Sequence, residues 1–251
     1  MENVILEKWT GVLAIVSSLM VTTCFILLAK TFGYPEIIRQ SPEVILTRLY
    51  EQRHIVPYLY YVGVGLGGLC IFVTSILLRK ILDPDGKAIL PHLGQFCGVM
   101  SGFLLYVGII RYVILFPFLA ELRASGRYDT QTIDLVFSAF NTYVGVSVAE
   151  HVQFTFTSLM LIFFGIAVLK GKILGKWTGY FALLTAVVLL YGNLEPFGMP
   201  KSFFFNRLGS KLIAIWLLWV GVNLLLKNKG SLINRTFVEL ANPRVSSRPR
   251  A

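Results

Sequence analysis

Five side chains in this 251-residue chain stand where a charge or a polar ring is expensive. Arg111 is embedded in the apolar stretch 103–118. Glu150 and His151 interrupt 144–169, Glu195 closes a further stretch just before Pro196, and Lys211 lies a turn or two into the last one. An ionised group at bilayer depth costs a few kcal/mol or more unless it pairs, reaches an interface or meets water. The residue types suggest two kinds of chemistry. Arg111 can hold an anion, with Glu150 or His151 as a base, or the charges can close on one another as Arg111–Glu150 and Glu195 with Lys211 or Arg207. Asn141, Tyr143, Tyr191 and Asn193 lie close enough in register to act as hydrogen-bonding neighbours.

More specialised chemistry finds little support. Adjacent helical residues point about 100° apart, so Glu150 and His151 do not jointly face one ion. No HExxH or carboxylate run accompanies them. His54 and His92 are expected at opposite membrane surfaces, which removes a transmembrane histidine pair for haem. Cys24, Cys70 and Cys97 sit in apolar stretches with no CxxC, so small packing residues are expected rather than a disulfide framework or thiolate metal site. There is no G-x-S-x-G elbow, and Asp83-Pro84-Asp85-Gly86 is a turn signal rather than a calcium loop. Neither a metal nor a cofactor is expected.

These residues are positioned by six long apolar stretches: 12–28, 55–78, 93–118, 144–169, 177–190 and 212–226. About 20 mostly apolar residues cross a hydrocarbon core as a helix. The composition agrees: 55% of residues are hydrophobic, 14% are charged, and mean hydropathy is +0.70. A soluble domain carries about 25% charged residues. The expected fold is an all-α, multi-pass integral membrane bundle of six transmembrane helices with two short amphipathic outer segments. Residues 1–229 would form the transmembrane domain and 230–251 a basic cytoplasmic tail. The mixed charges Glu2, Glu7 and Lys8 and the lack of a small-residue cleavage site make the first stretch an uncleaved span rather than a signal peptide.

The net charge of +10 fits basic loops beside anionic lipid headgroups better than nucleic-acid binding. Basic residues of the tail, of the turn 170–176 and of the loop 79–87 all fall on one side, which places both termini in the cytoplasm and the protein in the cell membrane. The loop 30–53 argues weakly the other way, diluted by Glu36, Glu43 and Glu51.

Two outer segments have helical patterns of their own. Ser41-Pro42-Glu43 reads as an N-cap, a first-position proline and a first-turn acid. After it, Ile45, Leu46, Leu49 and Tyr50 share one face. Ile133, Val136, Phe137 and Phe140 repeat at helical spacing, as an interfacial helix, a lid, or a continuous start to the fourth span with a bend at Gly145. In the tail, 233–240 could form a short surface helix, and 243–251 is polar and basic. The small residues of Gly63-Val64-Gly65-Leu66-Gly67 and Gly98-Val99-Met100-Ser101-Gly102 let helix backbones approach closely, within the bundle or between two copies.

With helices of known rise, Arg111 lies about two turns below the outer end of the third span, and Glu150 and His151 about two turns below the outer end of the fourth. Glu195 and Lys211 belong to the same level. A polar layer from four helices in the outer half is therefore expected. It reads either as an ion-paired plug that fixes helix register or as a polar pocket open to the outer side.

Gly108-Ile109-Ile110-Arg111-Tyr112 with Phe116-Pro117-Phe118-Leu119-Ala120, then Asn141-Thr142-Tyr143-Val144-Gly145 leading to Ala149-Glu150-His151, and later Asn193-Leu194-Glu195, resemble a bacterial six-span membrane family, domain-of-unknown-function family 4386. The likeness covers the first span to the sixth. That family typically shows Gly-Glu where this chain has Ala149-Glu150. The resemblance implies a six-helix membrane fold and supplies no activity or ligand.

The sequence thus favours a non-enzymatic membrane protein. It would bind a lipid or small polar ligand in the cluster Arg111, Glu150, His151, Glu195, Lys211, Asn141, Tyr143 and Asn193, or pack into a larger membrane assembly. Membrane lipids are its expected partners, with a membrane protein or a second copy as alternatives. A lipid-headgroup enzyme and a small-solute transporter are the competing classes.

Overall fold

A computed structural model describes residues 2–241, with side chains described for 3–227. Seven helices organise the chain: α1 (Glu2–Thr31), α2 (Pro42–Glu51), α3 (Val56–Leu82), α4 (Ile89–Ser125), α5 (Thr130–Lys170), α6 (Lys176–Gly192) and α7 (Ser202–Ala241). All but α2 contain a segment long and apolar enough to cross a membrane. The fold is an all-α polytopic bundle, and no strand occurs among the described residues.

Local chemistry sets the helix boundaries. The Asp83 carboxylate accepts from the backbone N–H groups of Lys87 and Ala88 at 3.2 and 3.0 Å, which turns the chain from α3 into α4. Gly86 takes φ +70° in that turn, a conformation that disfavours other residues. Asp129 caps α5 by accepting from the Gln131 and Thr132 N–H groups. Hydrogen bonds accepted from the Thr132 hydroxyl and then from these backbone N–H groups hold the Asp129 carboxyl below its ordinary pKa.

The six spans form a closed ring in the order α1, α3, α4, α5, α6, α7, with α7 returning to α1. At the end bearing the N-terminus, Lys227 Nζ meets Glu7 Oε1 at 2.6 Å. A Cβ on Gly221 would stand 2.6 Å from the Gly11 carbonyl oxygen. Nearer the middle, Ser18 Oγ donates to the Ala214 carbonyl at 2.7 Å. The small-residue faces are used inside the ring. Gly63 lies against Cys24 and Gly67 against Val21 of α1, while Gly98 lies against Ser75 and Gly102 against the Gly68 carbonyl of α3. Lipid offers no hydrophobic drive for helix association, so such close approach is what holds spans together.

Two apolar cores result. One, around Leu161, Phe164, Ala186 and Leu217, occupies the half nearer the N-terminus. The other, around Leu28, Leu46, Tyr60, Tyr112 and Phe137, fills the opposite half.

The amphipathic segments are resolved as follows. α2 buries Ile45, Leu46 and Leu49 against the last turns of α4 and the start of α5, so it caps the bundle end. Tyr50, assigned to the same face by its spacing, is exposed instead, with Arg53 stacked on its ring. The second segment is not a separate helix: Thr130–Phe140 runs without interruption into the fourth span. Likewise α7 continues through 233–240 as one helix, across Gly230. The expected polar end of the tail, 243–251, lies outside the described residues.

Candidate functional site

A segment outside the spans closes the end of the ring away from the N-terminus. The short turn Glu36–Arg39 follows α1, with Ile37 buried beneath it. It projects Arg39 between α5 and the turn that follows α6. Arg39 Nη2 lies 2.6 Å from Glu150 Oε2 on α5 and 3.2 Å from Glu195 Oε1, just beyond α6. Burial works against the Arg39 charge, but hydrogen bonding and attraction from Glu150, and then from Glu195, outweigh it and raise its pKa above the usual arginine value. A raised base pKa keeps its stabilising charge at every lower pH, so the pair does not loosen from the arginine side in the working range. Phe203 lies beneath both Arg39 and Arg207, at 5.2 and 5.7 Å from ring centroid to guanidinium carbon. Arg207 in turn meets Glu36 at 2.8 Å, and Asn206 Nδ2 donates to Glu195 at 3.0 Å.

Beneath this roof, two helices depart from α geometry. Leu59–Gly65 in α3 and Asn141–Val152 in α5 are wound as π-helix. Such widened turns are rare and concentrate at functional sites. Both face the same space, since Tyr60, Val64, Ala149 and Glu150 line it. A Cβ on Gly108 would stand 2.1 Å from that of Ala149, which brings α4 and the π-segment of α5 into close contact. One on Gly145 would stand 2.8 Å from Arg111 Nη2 and 3.1 Å from Asn141 Oδ1. The guanidinium therefore lies across Gly145.

The enclosed space is a cavity of about 110 Å³ between the two apolar cores, lined by α1, α3, α4, α5 and α7. Arg111, Tyr112, Glu150 and Gln153 give it a polar side, and Ile71, Met160, Ile213 and Leu217 give it an apolar floor. Gln153 Nε2 donates to Ser101 and Thr157 at 3.0 and 2.8 Å, tying α4 to α5. The cavity continues sideways into a cleft of about 560 Å³ between α1 and α7. Phe25, Tyr34, Glu150, Phe154 and Ser210 belong to both. Thr22, Ile26, Ala29 and Lys211 on the cleft wall are exposed, so it opens on the outside of the ring. Burial first, and then the charge of Glu150, push the Tyr34 pKa above its usual value, so this residue at the junction remains a neutral phenol.

The residues singled out by sequence are distributed as follows. Arg111 and Glu150 share the cavity, but they do not pair. Glu150 pairs with Arg39, while Arg111 donates to the Gly108 carbonyl and stacks on Tyr112 and Phe116 at 4.9 and 5.7 Å. Glu195 takes Arg39 and Asn206 rather than Lys211 or Arg207. Lys211 is exposed on the cleft wall. Asn193 donates to the His151 carbonyl and Thr155 hydroxyl at 3.1 and 2.9 Å, joining α6 to α5. The His151 ring faces Phe197, with its Nδ1 buried and unpartnered. Tyr191 donates to the Pro200 carbonyl. Tyr143 is 69% exposed and faces away from the cluster. Among the described residues no group of three or more His, Cys, Asp or Glu side chains could hold a metal ion.

Sequence reasoning missed Arg39, Tyr60, Tyr112 and Gln153. Arg39 counted only as a loop charge; the apolar pair Ile37-Ile38 just before it, with Ile37 buried, was the available sign that this loop packs inward.

The six-span ring with a polar interior defines the class: a multi-pass helical membrane protein. The profile described as "Domain of unknown function (DUF4386)" matches residues 7–227, and the chain belongs to that family. No curated protein and no solved structure matches the chain.

Proposed function

We propose that this protein is a non-enzymatic membrane protein that binds a lipid or small polar ligand in the cavity beneath Arg39, taking it from the bilayer through the cleft between α1 and α7. The observation that carries this reading is the continuity of a polar-sided cavity with a cleft that opens on the outside of the ring. Together the two spaces reach the ~300–1,000 Å³ usual for ligand sites. A plug that served only to fix helix register would need no such passage. An unbiased mass-spectrometric inventory of what co-purifies in mild detergent tests the proposal. Glu150→Gln is expected to lower the occupancy of a bound species at least tenfold while the protein stays folded. A fall in thermal midpoint with an unchanged inventory would assign the cluster to structure alone.

The positive bias of the loops and tail supports an orientation with both termini in the cytoplasm and the Arg39 roof on the outer face of the cell membrane. Tyr128→Cys, in the exposed turn before α5, should then react with an impermeant maleimide in intact cells. Asp85→Cys, in the turn between α3 and α4, should react only after permeabilisation. The reverse pattern would put the termini outside.

A further inference from the structure

Arg111 is only 8% exposed and has no carboxylate within salt-bridge distance among the described residues. The nearby acids are engaged elsewhere: Glu150 and Glu195 by Arg39, and Glu36 by Arg207. Arg111 keeps one backbone acceptor and two aromatic faces, and its Nε has no partner. Stacking on aromatic faces recovers part of the cost of burying a cation. It does not neutralise the charge. The polar groups beside it are neutral: the Gly108 carbonyl, the amide of Asn141 and the hydroxyls of Tyr60 and Tyr112. Tyr60 and Tyr112 stack at 4.2 Å between centroids. Both hydroxyls are buried and neither meets a hydrogen-bond partner. Lys211 supplies a second cation on the cleft wall leading inward.

Resting on the proposed ligand-binding role, we infer that the ligand is an anionic single-chain amphiphile, with a carboxylate or phosphate monoester on a long alkyl chain, and that Arg111 is its counter-ion. The space fits this division. About 110 Å³ is several times the ~10–15 Å³ that one water needs by the same measure, which suits a small anionic head. The apolar floor and the larger cleft, walled by Phe25, Ile26 and Ala214, receive the chain. Lys211 on the cleft wall attracts the head, and the unanswered charge of Arg111 retains it.

The test is a binding titration of the purified full chain in a neutral maltoside detergent at mildly alkaline pH, followed by tryptophan fluorescence. The probes are oleate, oleoyl lysophosphatidate, oleyl alcohol and inorganic phosphate. Saturable binding of oleate or lysophosphatidate is expected, at least tenfold tighter than oleyl alcohol or phosphate alone, and the tighter of the two identifies the head. Arg111→Gln should lose at least tenfold in that affinity and Arg111→Lys less. Gly145→Ala, whose methyl displaces the guanidinium without removing its charge, should also weaken binding and carries the test if Arg111→Gln fails to fold. Equal binding of oleyl alcohol and oleate, or undiminished anion binding in the Arg111 and Gly145 variants, overturns the anion while leaving a ligand cavity in place. Failure of every probe, together with an empty co-purification inventory, overturns both.

Discussion

Arg39→Ala is expected to lower stability in detergent by about 2 kcal/mol, the scale of a charge-assisted hydrogen bond lost from a partly shielded site. The loss exceeds that of an ordinary surface ion pair because one guanidinium serves two carboxylates, one on α5 and one in the turn after α6. Removing it leaves Glu150 and Glu195 facing each other without the cation between them. Arg39→Lys should recover part of the loss, because an ammonium supplies charge without the planar fork. A double-mutant cycle with Glu150→Gln, read from thermal unfolding, should give a coupling energy of about 1 kcal/mol or more. Strict additivity of the two substitutions would mean that the roof is not held through this contact.

Gly102→Val is expected to disrupt the bundle, at a cost of about 3 kcal/mol or more. A Cβ at this position would stand 2.4 Å from the Gly68 carbonyl oxygen and 2.8 Å from the Phe72 nitrogen. Both are backbone atoms, so no rotamer change can relieve the clash, and α3 and α4 would have to separate. Gly145→Ala is the contrast, since its added methyl meets the end of the Arg111 side chain, which can move. Size-exclusion profiles and thermal midpoints should show aggregation or loss of folded protein for Gly102→Val and a folded Gly145→Ala. A folded, monodisperse Gly102→Val would contradict the α3–α4 packing described above.

The spans were legible because twenty apolar residues have few other stable arrangements than a membrane-crossing helix. The shared level of Arg111 and Glu150 was legible for a similar reason, since helix rise fixes depth once span boundaries are known. Rotation about the helix axis was not. Whether Arg111 meets Glu150 depends on which neighbours flank α4 and α5 in the ring, and on the π-wound Asn141–Val152, which shifts every later side chain around the axis. Nothing in Asn141-Thr142-Tyr143-Val144-Gly145 marks such winding beyond one glycine, and Tyr143 accordingly faces outward. Arg39 was hidden for a different reason. Its loop mixes acids with bases, and a charge count treats all of them as solvated, whereas the fold places this one between α5 and the turn after α6.

The central claim is that the cavity under the roof admits an acyl chain from the bilayer. Leu217 and Leu161 separate it cleanly, because both are buried leucines in the same core but only Leu217 lines the cavity. With a photoreactive diazirine leucine placed at each position and irradiated in native membranes, the account predicts a lipid adduct at 217 and protein–protein products alone at 161. Protein–protein products alone at both positions would contradict it.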